Sequence, residues 1–310
     1  MISATPPPPT ARYAVSHRTT YCYSETVPVC HNELHLVPRP SPRQRMLAST
    51  LTVDPIPASM SESLDYFGNR TGFLAIEEGH QRLVVTATSE VEVDPPRPWN
   101  DLPAVPWEQV RDELAASTGP ITLEAREFVS PSPLVPVAAH LAEWAAASFS
   151  PGRPWAEALL DLTRRIHREF VYDPTATTIS TPVEDVFAHR RGVCQDFAHL
   201  QIACLRSLGL AARYVSGYLC NERQVHGTVG AEANDAGMVG ADASHAWVAC
   251  WGGPTAGWLD VDPTNDCQAG ILHITLGWGR EYGDVAPIKG VCVGGGQHTM
   301  DVAVHVTRIG

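Results

Sequence analysis

Nine prolines fall between residues 95 and 136, at 95, 96, 98, 103, 106, 120, 131, 133 and 136. Each fixes φ and lacks the N–H that a strand ladder or a helix interior needs, so no regular element can run far through this stretch. The chain must therefore be organised as one part before the prolines and another after them, and the two parts carry different periodicities. Before them, Leu83, Val85, Ala87, Val91 and Val93 fall on one parity and Thr86, Thr88, Glu90 and Glu92 on the other, the alternation of a half-buried strand. Tyr21, Tyr23, Val27 and Val29 form a second parity set. Asp65-Tyr-Phe-Gly-Asn69 reads as a turn in which Gly68 and Asn69 can take positive φ. Residues 12–95 are expected to form an all-β domain, preceded by a disordered proline-rich tail over 1–11.

Residues 96–150 read as a proline-rich linker with one or two short helices, and the second domain is expected over 151–310. Leu141, Trp144, Ala145 and Ser148 begin an amphipathic helix. Trp155, Leu159, Leu162, Ile166 and Phe170 mark another by their four- and three-residue steps. Thr181-Pro-Val-Glu184 has the form of a capping box with proline at the first helical position, which predicts a short helix to about His189. Beyond the break at Gly192, Cys194, Phe197, Ala198, Gln201, Leu205 and Leu208 trace one face of a helix ending at Gly209. Strand-like runs come next at 213–219, 244–251, 257–262 and 302–306, with a turn at Gly294-Gly-Gly296 between the last two.

Composition narrows the function. The 310 residues hold 22 basic against 34 acidic side chains, a formal charge of -12, which disfavours a nucleic-acid partner because phosphate binding needs a basic surface. No run approaches the ~20 apolar residues of a membrane span. The first residues have neither a basic nor an apolar leader region, so a secretion signal is not expected. Eight cysteines are too dilute for a disulfide scaffold and none stand as C-x-x-C, so reduced thiols in a cytoplasm are the expectation.

Three residues stand out as chemistry. Cys194 opens the apolar-faced helix, where unpaired N–H groups and the helix dipole favour an anion, so its thiol is expected to be acidified. Cys204, inside the same helix, reads as a small buried hydrophobe, as most free cysteines are. His199 and His189 lie near Cys194 in sequence, but five residues along a helix rotate by about 140°, which sets Cys194 and His199 on different faces and disfavours zinc. His245 shares one face of its strand with Trp247, Ala249 and Trp251, while Ala246, Val248 and Cys250 share the other. Asp262 stands last before Pro263, where a side chain can reach a histidine on a neighbouring strand, with Asp260 its rival on the same parity. Asp-Pro also initiates turns, which is the plain alternative for both. A nucleophile at a helix start, then a histidine, then a carboxylate on the next strand is what thiol acyl transfer requires.

These segments resemble a known family. Arg191-Gly-Val-Cys-Gln-Asp-Phe-Ala-His-Leu200, Ala212-Arg-Tyr-Val-Ser-Gly-Tyr218, Ser244-His-Ala-Trp-Val248 and Gly257-Trp-Leu-Asp-Val-Asp-Pro-Thr264 look like the bacterial branch of the transglutaminase-like superfamily. Leu34-His-Leu-Val-Pro-Arg39 and Asp65-Tyr-Phe-Gly-Asn69 are similar to the β domain that precedes the core in that branch, and Gly279-Arg-Glu-Tyr-Gly-Asp-Val285 to the segment after it. The resemblance implies a papain-like α+β core, with the helix bearing the cysteine packed on an antiparallel sheet. It assigns Cys194 as nucleophile, His245 as general base and acid, and Asp262, directly before Pro-Thr, as the orienting carboxylate. The animal enzymes add an oxyanion-stabilising tryptophan with no match here, since Trp155 belongs to a helix face; Tyr172 and Tyr218 are the candidates for that role. Calcium serves the animal enzymes, yet Asp235, Asp242, Asp260 and Asp266 do not have the spacing of an EF-hand loop, so no metal and no other cofactor are expected. The implied activity is acyl transfer or hydrolysis at a carboxamide or peptide bond of a protein or peptide substrate. A peptidase or deamidase of the same fold, and a silent binding scaffold, are the alternatives.

Overall fold

The computed structural model describes residues 10–221, 238–240 and 244–310. The proline-rich start lies outside them except for its last residues, as do Asp235 and Asp242. Among the described residues no helix is long and apolar enough to cross a membrane.

The alternating N-terminal region forms two antiparallel four-stranded sheets. One has the order β15-β1-β6-β3, from His298–Arg308, Ala11–Val27, His80–Val93 and Gln44–Asp54. The other has the order β14-β2-β5-β4, from Ile288–Val293, Val29–Leu34, Arg70–Ile76 and Ser59–Leu64. The parity of β6 holds: Leu83, Val85 and Ala87 pack with Leu34, Leu36, Leu74 and Ile76 between the sheets. The second parity set breaks at Pro28, after which the inward residues are Cys30, Asn32 and Leu34 rather than Val29. In the turn, Gly68 alone takes positive φ (76°). Asn69 instead spends its side chain on the backbone of Trp278, donating to its carbonyl at 2.8 Å and accepting its N–H at 3.0 Å.

The last two strands differ from expectation. Grouped with the catalytic core in the sequence, β14 and β15 return to complete the N-terminal sheets, β15 pairing with β1 and β14 with β2. The reason lies in what they cover, since Val304 and Val306 join Tyr13, Val15, Val91 and Val93 in an apolar layer against Tyr218, Ile274 and Leu276.

The proline-rich stretch is also more than a linker. It holds α1 (Trp107–Ala116), α2 (Pro120–Arg126) and α3 (Ala139–Ala146). Trp107, Val110 and Leu141 enter the same core as the apolar faces of α4 (Trp155–Glu169), α5 (Val183–His189) and α6 (Cys194–Ser207). Helix α5 ends at His189 as expected, but Thr181 does not cap it. Its hydroxyl accepts from the Thr178 N–H at 2.9 Å, and Pro182 fills the capping position.

Helix α6 packs on a five-stranded antiparallel sheet of order β12-β11-β10-β9-β13, from Cys267–Gln268, Trp258–Asp262, His245–Trp251, Ala212–Leu219 and His273–Gly279. Ala246, Val248 and Cys250 of β10 face the helix, and Trp247 and Ala249 face the opposite layer with Val215. Gly217 is fixed by close approach: a Cβ there would lie 2.2 Å from the Ile274 carbonyl and 2.4 Å from the Trp247 ring.

Candidate active site

The turn into α6 is built around Asp196. A short parallel pairing of β7 (Val171–Tyr172) with β8 (Arg191–Gly192) brings the chain in. The Asp196 carboxylate then turns back to accept the Val193 N–H at 2.8 Å and the Thr177 hydroxyl at 2.6 Å. Gly192 is needed because a Cβ would meet that carboxylate oxygen at 2.7 Å. Cys194 emerges as the first residue of α6, half-buried, in the first turn where backbone N–H groups lack helical partners. Cys204 lies in the core of the same helix, and burial pushes its thiol up to about 12.

His245 opens β10 and Asp262 closes β11, and the two meet with Nε2 2.8 Å from Oδ2. Burial would lower the imidazole pKa, but the charges of Asp262 and Cys194, and the hydrogen bond to Asp262, outweigh it and raise the pKa to about 10. The Cys194 side chain is thus among the charges that the ring feels. With Nε2 committed to Asp262, the buried Nδ1 makes no complete hydrogen bond among the described residues. It is the ring nitrogen left open. Gly240 (φ 92°) flanks it, and a Cβ there would stand 2.7 Å from Nδ1. Asp262 is wholly buried, which favours its neutral form. The charge of His245 and the hydrogen bonds from His245 and His273 outweigh that and hold the carboxyl well below the usual range. Asp260, the rival, instead accepts from Trp247 Nε1 at 3.2 Å.

Two partners of Asp262 escape a reading for motifs. His273 of β13 donates from Nε2 to Oδ2 at 3.2 Å, and Asn265 donates from Nδ2 to the same oxygen at 2.7 Å. Oδ1 takes the N–H groups of Thr264 and Asn265 at 2.9 and 3.3 Å. The turn chemistry of Asp-Pro is therefore present together with the histidine contact. Asn265 has a signal in that turn; His273 has none, because its partner is set by the pairing of β13 with β9.

Asp262, Cys267 and His273 bring three potential ligand atoms within 4.8 Å of one another. The tautomer of His273 disfavours an ion there. Gly270 N–H donates to its Nδ1 at 3.2 Å, so Nε2 keeps its proton and gives it to Asp262 instead of offering a lone pair. Asp266 lies 3.5 Å from Arg164. His199 accepts the Tyr282 N–H at 3.1 Å, away from Cys194.

The two tyrosines part company. Tyr172 pairs with Gly192 close to Cys194 in the chain, and burial, then the charge of Cys194, raise its phenol. Tyr218 lies elsewhere than expected: it is buried in the layer against the N-terminal sheet, with its hydroxyl 2.9 Å from His17 Nδ1. Four residues earlier on the same strand, Tyr214 does reach the site. Its phenol is raised well above 10 by burial first and then by Cys194. Trp155 is a core residue whose ring leaves room only for glycine at 252.

Residues 13–92 match the model of the bacterial transglutaminase-like N-terminal region, and residues 143–263 that of the transglutaminase-like superfamily. An uncharacterized protein of Mycobacterium tuberculosis is 42% identical over 304 residues, covering 96% of this chain and 93% of its own. A protein-glutamine gamma-glutamyltransferase of Pseudomonas aeruginosa is 35% identical over 134 residues, 36% of this chain and 18% of its own length. Among solved structures, a Cytophaga hutchinsonii protein provisionally described as a cysteine protease superposes with a TM-score of 0.74 at 20% identity, covering 98% of this chain and 92% of that one. The last likeness is one of fold.

Proposed function

The chain belongs to the transglutaminase-like superfamily, and on that premise we propose that it is a thiol-dependent acyl-transfer enzyme acting on a carboxamide or peptide bond of a protein or peptide. The observation that carries this is the His245 imidazole, held at Nε2 by Asp262 and left open at Nδ1 beside a cysteine at a helix start. In this reading the Cys194 thiolate attacks the carbonyl carbon. The developing oxyanion is met by N–H groups of the first turn of α6 and by the phenols of Tyr172 or Tyr214. His245 gives its Nδ1 proton to the departing amine or ammonia, leaving a thioester on Cys194. An amine or a water molecule then loses its proton to His245, attacks the thioester and releases the thiolate. Asp262 stays ionised and supports the imidazolium at each stage.

The acceptor separates a transglutaminase from a peptidase or deamidase, since the same three residues serve all of them and access of water decides. Cys194, His245 and Asp262 are all present, which supports chemistry over a silent scaffold. The test is incubation of the purified protein with a glutamine-containing protein, with and without a primary amine, read by intact mass. An amine adduct gives transfer, conversion of amide to acid gives deamidation, and chain cleavage gives proteolysis. Identical products from wild type and Cys194→Ala would overturn the reading.

A further inference from the structure

The return of β14 to the N-terminal sheet places Cys292 directly opposite Cys30 of β2. A bond of 2.9 Å from the His35 N–H to the Pro287 carbonyl marks that pair as a hydrogen-bonded position. Pairs alternate along an antiparallel ladder, which makes Cys30 and Cys292 a non-hydrogen-bonded pair. At such positions the Cα atoms approach to about 4.5 Å and both side chains leave the sheet on the same face, within the roughly 4.4–6.8 Å that a disulfide spans.

The surroundings differ for the two thiols in a way that suits exchange. Cys30 is buried, accepts from Asn32 Nδ2 at 3.4 Å and lies 3.8 Å from His80 Nε2. His80 Nδ1 faces the Glu78 carbonyl at 2.8 Å. A carbonyl only accepts, so Nδ1 carries the proton and Nε2 turns its lone pair to the thiol. Cys292 is exposed at the sheet edge, with its sulphur 3.6 Å from the Tyr23 hydroxyl. One thiol can meet a reagent from solution, and the other has a base and an amide donor beside it.

We propose that Cys30 and Cys292 are a dithiol site that a disulfide reagent oxidises to a cross-strand disulfide, fastening the C-terminal strand to the N-terminal sandwich. The Cys292 thiolate attacks a small disulfide, forming a mixed disulfide and expelling one thiolate. Cys30 passes its proton to His80 and attacks the Cys292 sulphur, expelling the second. Two protein thiols lose two electrons and two protons, and the reagent leaves as two thiols. The bond closes a loop that spans almost the whole chain, so it restricts the unfolded state strongly.

The test uses the full chain in oxidised glutathione, read by intact mass and by peptide mapping without reduction. The expected product has lost two hydrogens, links the peptides bearing residues 30 and 292, and melts several degrees higher than the reduced protein. Cys292→Ser, at an exposed edge position, should abolish the link and the thermal shift without disturbing the core. His80→Gln should let the mixed disulfide on Cys292 accumulate while reaching the same end product. A stable glutathione adduct on Cys292 with Cys30 still a thiol, or a link from Cys292 to any other cysteine, would overturn the proposal.

Discussion

His245 Nε2 and Asp262 Oδ2 lie 2.8 Å apart with both side chains sealed from solvent, while Asp260, two residues away on the same strand, holds Trp247. The two carboxylates therefore predict different phenotypes. Asp262→Asn should cut turnover by roughly four orders of magnitude, as in related sites where an amide stabilises the wrong imidazole tautomer. It should also lower the melting temperature, because one amide oxygen cannot accept from all the donors now converging on the carboxylate, at about 1–3 kcal/mol for a buried group left unpaired. Asp260→Asn should change turnover little. Reversed effects in steady-state kinetics would show that the orienting role was given to the wrong residue.

The raised pKa of His245 gives a pH signature. Its folded value, about 10, stands above the ordinary imidazole value of 6.5, so the charged ring contributes stability that is fully present below about pH 6.5 and lost as pH rises through about 10. Imidazole resonances should titrate near that upper value. In Cys194→Ser the contribution of Cys194 to the raised value is gone, and the midpoint should fall. A wild-type midpoint near 6.5 would sink the picture of an imidazolium held up by its neighbours.

Thiol reactivity should separate along α6. Cys194 is expected to react with limiting iodoacetamide near neutral pH well ahead of Cys204 and Cys250, whose thiols burial pushes up to about 12. Peptide mapping over time reads the order. Equal labelling of Cys194 and Cys204 would remove the case for a helix-start nucleophile.

His273 tests whether the carboxylate is itself positioned. Replacing it by Phe removes a hydrogen bond to a charged group, worth about 1.5–3 kcal/mol, or roughly ten- to a hundredfold in kcat where the loss falls on the transition state. KM should hold, and the pH profile of kcat should shift with the basicity of Asp262. A lower melting temperature with unchanged kcat would make His273 a packing residue only.

Much of the site is legible because it lies in local motifs. The helix start at Cys194, the strand face of His245 and the strand end at Asp262 each depend on residues within a few positions, where periodicity and capping act. The hidden part depends on long-range pairing. His273 reaches Asp262 only through the register of β13 on β9, and Tyr218 turns to His17 because an N-terminal sheet lies over that end of the strand. Parity shows which residues share a face and is silent about which layer the face meets.

That distinction bears most on how the two halves depend on each other. Alternating strands and a proline-rich break point to a β unit that could be removed, yet its sheets borrow β14 and β15 from the end of the chain. The contact is polar as well as apolar. Gln44 donates to the Thr275 carbonyl at 2.7 Å and accepts the Thr275 N–H at 2.8 Å, so an N-terminal side chain caps the backbone of the strand that carries His273. Deleting residues 1–95 would leave β14 and β15 without their strand partners and expose Tyr218, Ile274 and Leu276. Unpaired edges and a bared apolar layer favour aggregation. The fragment 96–310 is therefore expected to be insoluble or unfolded alone, and to be recovered with an alkylatable Cys194 when co-expressed with 1–95. Co-purification of the two fragments, then Cys194 labelling, measures this directly. A soluble, monomeric 96–310 fragment that labels at Cys194 as fast as the whole chain would show that the α+β core stands without the sandwich and that the shared strands matter only for attachment.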